Sequence, residues 1–124
     1  MKIFFTTTLF FFIACGNKTY QPAEDALDAA REFKDGCLKG NFDKATFYLT
    51  ASKENENKLN KMQESFYNQT STEIKQSQEA SIIIKSSKEI NATTSQVILS
   101  NSFTKIQDTI YVSMQNKTWK VDFR

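Results

Sequence analysis

The side chains that could do chemistry in this chain are few. Its 124 residues include no histidine, which excludes histidine-based triads, imidazole acid/base pairs and the commonest nitrogen ligand for zinc or copper. Two cysteines, Cys15 and Cys37, are too few for a four-thiolate zinc site, and neither a metal nor a cofactor is expected. Asp108 shares the alternation of Ile110, Val112 and Met114, so it falls on the apolar side of a strand, where a desolvated carboxyl would serve as a general base. A tyrosine such as Tyr48 or Tyr111 would then polarise the substrate. Aspartate is also a common turn former, and a turn at a strand start is the favoured reading of Asp108. Gln76 and Gln78 have the parity of Ile74 and Ala80. With Tyr48 or Tyr67 they would line a polar ligand pocket; the alternative is an exposed strand end. Cys37 lies on an apolar helix face, which suits a buried small hydrophobe better than a reactive thiol. Trp119 alternates with Val121 and Phe123 as a core residue does, a ligand platform being the other reading. Glu73, Glu79 and Asp122 have the opposite parity to their apolar neighbours and are expected to face solvent.

Charge and glycine content narrow the partners. Sixteen Lys+Arg against fourteen Asp+Glu give a net charge of +2, so no nucleic-acid partner is expected. The three glycines are Gly16, Gly36 and Gly40, and no glycine-rich phosphate loop can form beyond residue 40.

The first residues are an address. Five of the eleven phenylalanines lie in the first twelve positions. Lys2 gives a short positive end, and Ile3 to Ile13 form a mostly apolar stretch roughly 16 Å long as a helix, against a hydrocarbon layer roughly 30 Å thick. That is too short for a permanent span and suits a signal-peptide core. The sequence Phe12-Ile13-Ala14-Cys15-Gly16 resembles the lipobox of bacterial lipoproteins, in which the cysteine is lipidated and becomes the mature N-terminus. The resemblance implies a signal peptide over residues 1–14, a lipid on Cys15, and attachment to a membrane of the bacterial cell envelope, with the periplasmic side favoured. A Cys15–Cys37 disulfide in a secreted protein is the alternative. Residues 15–22 then read as lipidated cysteine and tether, residues 16–22 reaching roughly 23 Å when extended.

The remaining residues, 23–124, read as one domain with a modest core. Pro22 suits a helix start. Ala26, Leu27, Ala30, Phe33, Cys37 and Leu38 follow on one helical face, and Gly40 stops the helix. Asn41 caps a second helix with Phe42, Ala45 and Leu49 inward, and a third, from about Ser52 to Asn68, presents Leu59, Met62 and Phe66. After residue 70 the period becomes 2. Ile74, Ala80, Ile82 and Ile84 mark a first strand, Val97, Leu99 and Phe103 a second, Ile110, Val112 and Met114 a third, and Trp119, Val121 and Phe123 a fourth. Ile83 and Ile98 break the alternation, pointing to a bulge or to strands covered on both faces. Asn91, Gln107-Asp108 and Asn116 supply the turns. Helices followed by strands give an α+β fold, the helices packed on one face of a curved four-stranded antiparallel sheet.

This order resembles the small bacterial lipoproteins built on the cystatin-like cone of the nuclear transport factor 2-like superfamily. The likeness rests on the long first helix, the turn from Lys39 to Ala45, and the closing strand Trp119-Lys120-Val121-Asp122. It implies an envelope domain whose cone or sheet face binds a small hydrophobic ligand or an envelope protein. Enzymes of the superfamily often use a histidine, so a non-enzymatic role is favoured. A cofactor-free isomerase or dehydratase using Asp108, or an inhibitor or immunity-type partner protein, are the alternatives. Asp108-Thr109-Ile110 also resembles the acceptor of some bacterial envelope O-glycosylation systems, at Thr109.

Overall fold

The computed structural model describes residues 19–123. The expected signal segment and Cys15 lie outside the described residues, as do residues 16–18 of the tether. The fold is α+β, with four helices followed by a four-stranded antiparallel meander.

Local side-chain chemistry sets each helix. The first, α1 (Ala26–Lys39), starts one turn later than Pro22 suggests, because the Asp25 carboxylate accepts the Asp28 N–H at 2.7 Å. It ends at Gly40, left-handed at φ 73°, beyond which the Asn41 N–H donates to the Gly36 carbonyl at 2.8 Å. Asn41 then caps α2 (Phe42–Phe47), its side-chain oxygen accepting from the Lys44 N–H at 3.2 Å. Ser52 caps α3 (Lys53–Tyr67) in the same way.

The fourth helix corrects the sequence reading. Residues 71–79 form helix α4 (Ser71–Glu79), not the start of a strand. Thr70 accepts the Glu73 N–H at 3.2 Å while its hydroxyl donates to the Glu73 carboxylate at 3.1 Å, and this local pair fixes a first helical turn. The six-residue gap between Ile74 and Ala80 fits strand parity, but the local pair at Thr70 and Glu73 decides for a helix.

The sheet consists of β1 (Ile82–Asn91), β2 (Thr94–Asn101), β3 (Asp108–Gln115) and β4 (Thr118–Asp122), paired in that order. β1 carries register shifts at Lys85 and Ile90, so the irregularity signalled at Ile83 is a bulge. Asn116 and Lys117, at φ 47° and 63°, turn β3 into β4 without glycine. The longer loop between β2 and β3 is organised by Asn101, whose side-chain oxygen accepts the N–H groups of Phe103 and Thr104, with Lys105 left-handed at φ 59°. Asp108 is therefore the first residue of β3 and not part of the turn.

One face of the sheet carries the core. Val97 and Leu99, Ile110 and Val112, and Val121 are buried with Ala26, Ala29, Ala30 and Phe33 of α1. Trp119 and Phe123 pack at the edge of this cluster, Phe33 meeting Phe123 edge to face with centroids 5.5 Å apart. Gly36 lets α2 approach α1, since a Cβ there would lie 2.9 Å from the Ala45 nitrogen. Met114, expected inward, is exposed because β3 extends past the helical cover.

The outer edge of β4 is closed by chain from the helical layer. Thr50 donates to the Val121 carbonyl at 2.8 Å, and Val121 donates to that of Tyr48 at 2.7 Å. Asn55, only 1% exposed, donates to the Thr50 carbonyl at 3.0 Å and the Asp122 carboxylate at 3.1 Å, and accepts the Phe123 N–H at 3.2 Å. Asp122 is thus partly covered and bonded where solvent exposure was expected. The last residues of the expected tether are docked on the domain. Tyr20 is half-buried against Phe47 and donates to Asn41, and Gln21 accepts from Tyr48, so the chain is docked on the domain from about Tyr20.

Candidate functional site

A cleft of about 520 Å³ opens where the second half of α1, the end of α3 and the β2–β3 loop meet. Helical spacing on α1 places Lys34, Cys37 and Leu38 along it, and α3 contributes Lys61, Met62 and Phe66 at similar intervals. Its walls are mainly apolar: Leu38, Phe42, Met62 and Phe66 on the helical side, and Ile82 and Leu99 from the sheet. The β2–β3 loop contributes Phe103 and Ile106 to the lining, and Ile106 is 70% exposed. A large aliphatic side chain so open to water, beside an apolar cavity, is not held in a core.

Polar groups are concentrated at specific points. The Lys34 ammonium, on a side chain 14% exposed, forms an ion pair with the Asp108 carboxylate, 49% exposed. This contact joins α1 to the base of the loop. Gln69 lines the cleft and has a buried side-chain oxygen with no hydrogen-bond partner among the described residues. The Cys37 thiol is half-buried in the wall, where burial pushes it up to about 12, with Lys34 and Asp108 acting in opposite directions. It is protonated at neutral pH and contributes to the wall as a small apolar group.

The sequence candidates divide around this geometry. Asp108 has the expected parity, opposite Leu99 in the ladder, and borders the cleft. It lacks the burial that the general-base reading required, because Lys34 occupies it at an open rim. Tyr48 is buried elsewhere, in a groove beside Tyr20, and donates to the Gln21 carbonyl at 2.6 Å. Burial, with the carboxylates of Glu32 and Asp28, pushes its phenol up. Tyr67, 60% exposed, borders a third depression formed with Asn60 and Gln63. Tyr111 lies on the far face of the sheet and accepts from Gln96 at 3.2 Å. Gln76 and Gln78 are exposed on α4, and Gln78 donates to the Lys39 carbonyl at 3.3 Å. The expected pocket of Tyr48, Tyr67, Gln76 and Gln78 is therefore not assembled: Gln76 and Gln78 lie on a helix, where strand parity does not hold, and the two tyrosines face different grooves. Thr109 is exposed on β3.

Sequence reasoning missed Lys34, Met62, Gln69, Phe103 and Ile106. The available signal was Ile106, an isolated large aliphatic residue in a loop of polar neighbours. Among the described residues, no group of three or more cysteine or acidic side chains could hold a metal ion, and no helix is long and apolar enough to cross a membrane. Comparison of the chain with protein-family models, curated proteins and solved structures gives no match.

Proposed function

We propose that this domain binds a small hydrophobic molecule in the cleft between α1, α3 and the β2–β3 loop, and does so without catalysis. The observation that carries this reading is an apolar cavity of about 520 Å³ lined in part by the exposed Ile106, within the size range of small-molecule sites. The polar groups around it position a ligand and do not form a reacting set: Lys34 and Asp108 neutralise each other, and Cys37 is protonated. The curved sheet beneath a long first helix supports a cystatin-like cone, with this cleft as its mouth. The lipobox-like Phe12-Ile13-Ala14-Cys15 supports a lipid-anchored envelope protein, attached through Cys15 and facing the periplasm, which would hold the cleft close to a source of apolar ligands.

The core cluster lies within residues 20–123, so the chain from residue 19 onward is suited to a titration with a fluorescent apolar probe. Ile106→Asp replaces apolar rim surface by a charge, and the loss of about 1.5–3 kcal/mol of side-chain burial weakens the probe by roughly ten- to a hundredfold. Tyr111→Phe, on the far face of the sheet, leaves affinity unchanged. Equal affinity of the Ile106→Asp and unaltered proteins would refute the assignment. Mass spectrometry of the native N-terminus checks the anchor: diacylglycerol-modified Cys15 is expected, and a different, unmodified N-terminus would end that part of the proposal.

A further inference from the structure

Among the described residues, three charged side chains line the cleft: Lys34 of α1, Lys61 of α3 and Asp108 at the start of β3. Two lysines against one aspartate leave it positive. Lys34 is largely buried and holds the Asp108 carboxylate, which is half exposed. Lys61 is exposed and belongs to none of the ion pairs or hydrogen bonds among the described residues. Glu64, three residues further along α3, borders the separate depression with Tyr67 and Asn68 and is not in the cleft lining. We infer that the hydrophobic molecule taken by the cleft carries a carboxylate head, as a single-chain fatty acid does. This rests on the cleft being the binding site and adds the charge of its occupant.

An apolar chain alone is accommodated by Leu38, Met62, Phe66 and Leu99 with no need of charge. The surplus positive charge favours an anionic head over a cationic one, and the apolar walls strengthen that attraction. Asp108 identifies the kind of anion. The Lys34 ammonium already holds a carboxylate, and losing it without replacement would leave a largely buried charge unpaired. A ligand carboxylate replaces it like for like. Lys34 then stays paired, while Asp108, half exposed, turns to water at small cost. Lys61 supplies the additional charge that tips this exchange toward the ligand. Asp108 is on this reading a competitor for Lys34, so removing its charge tightens the binding of an anionic ligand and does nothing for a neutral one.

The test is isothermal titration calorimetry of the full chain with octanoate and with 1-octanol, each variant being compared with the unaltered protein on both ligands so that chain burial cancels. Lys61→Gln weakens octanoate about threefold, and Asp108→Asn tightens it about tenfold. Both variants bind 1-octanol as the unaltered protein does, which also shows that the cleft is intact in each. Binding of 1-octanol without octanoate, octanoate affinity unmoved by either variant, or equal changes for the two ligands would overturn the carboxylate inference while leaving the cleft reading in place. Binding of neither ligand to the unaltered protein would overturn both.

Discussion

Replacing Asn55 by alanine removes a side chain that connects three parts of the fold. Its amide donates to the Thr50 carbonyl and to the Asp122 carboxylate, and its oxygen accepts the Phe123 N–H, at 3.0, 3.1 and 3.2 Å. With 1% of the residue exposed, little water can replace those bonds without rearrangement. Two neutral hydrogen bonds contribute about 1 kcal/mol each, and the bond to a partly covered carboxylate about 1.5 kcal/mol, giving a loss of roughly 3–4 kcal/mol. For a domain of this size that lowers the midpoint of thermal unfolding by about 12–16 °C. The helix cap is unaffected, because Ser52 bonds the backbone N–H of residue 55. Urea unfolding followed by circular dichroism measures the loss. Asn55→Asp keeps the acceptor for Phe123 but turns a second carboxylate toward Asp122, so at neutral pH it is at least as damaging as alanine and recovers in part when the carboxyls are protonated. A loss below about 1 kcal/mol for Asn55→Ala would show that the closure of the β4 edge does not depend on this side chain.

Three further outcomes follow from single contacts. Gly40→Ala forces a Cβ at φ 73° and within 2.6 Å of the Phe66 ring, so equilibrium unfolding shows a loss of more than the ~1 kcal/mol of left-handed strain alone, and probe affinity falls as Phe66 shifts in the cleft. Lys44 bridges Glu32 at 2.6 Å and Asp35 at 2.9 Å. Burial opposes ionisation of both Asp35 and Lys44, but their mutual pairing, aided by Lys39 and Glu32, outweighs it, lowering the Asp35 pKa and raising that of Lys44. Their stabilisation is present between pH 3.8 and 10.5, lost as pH falls through the lowered Asp35 value or rises through the raised Lys44 value. The gap in stability between the unaltered protein and Lys44→Met, read by urea unfolding across pH, therefore narrows on both flanks. Cys37, raised from 9.0 to about 12, reacts with iodoacetamide at pH 8 at least about tenfold more slowly than an unperturbed thiol, and comparable rates would contradict its place in the wall.

Much of the fold was legible because its signals are local. Gly40, Asn41 and Ser52 act on backbone groups within a few residues, so their caps could be read directly. The alternation of Val97 with Leu99 and of Ile110 with Val112 gave the buried face of the sheet. The error at residues 71–79 arose where two periods fit: Ile74 and Ala80 are six apart, and the deciding pair, Thr70 with Glu73, was there to be read as a capping box. The cleft was not legible because its parts are distant in sequence. Asp108 has the parity expected of it, but the lysine that neutralises it lies 74 residues away on α1. Ile106 and Phe103 share the cleft with Met62 and Phe66 of α3 only in the folded chain, and no periodicity encodes that placement. The partner of Tyr48, the Gln21 carbonyl, lies 27 residues away in a segment without periodicity, so no local signal marks that hydrogen bond.

The central claim is tested most directly by mapping where an apolar ligand contacts the protein. In a nuclear magnetic resonance titration with a medium-chain fatty alcohol, binding in the cleft gives saturable shifts centred on Leu38, Met62, Phe66, Gln69, Phe103 and Ile106, with Tyr48, Tyr111 and Gln76 unmoved. Shifts centred on the Tyr20–Tyr48 groove, or none that saturate, would contradict it.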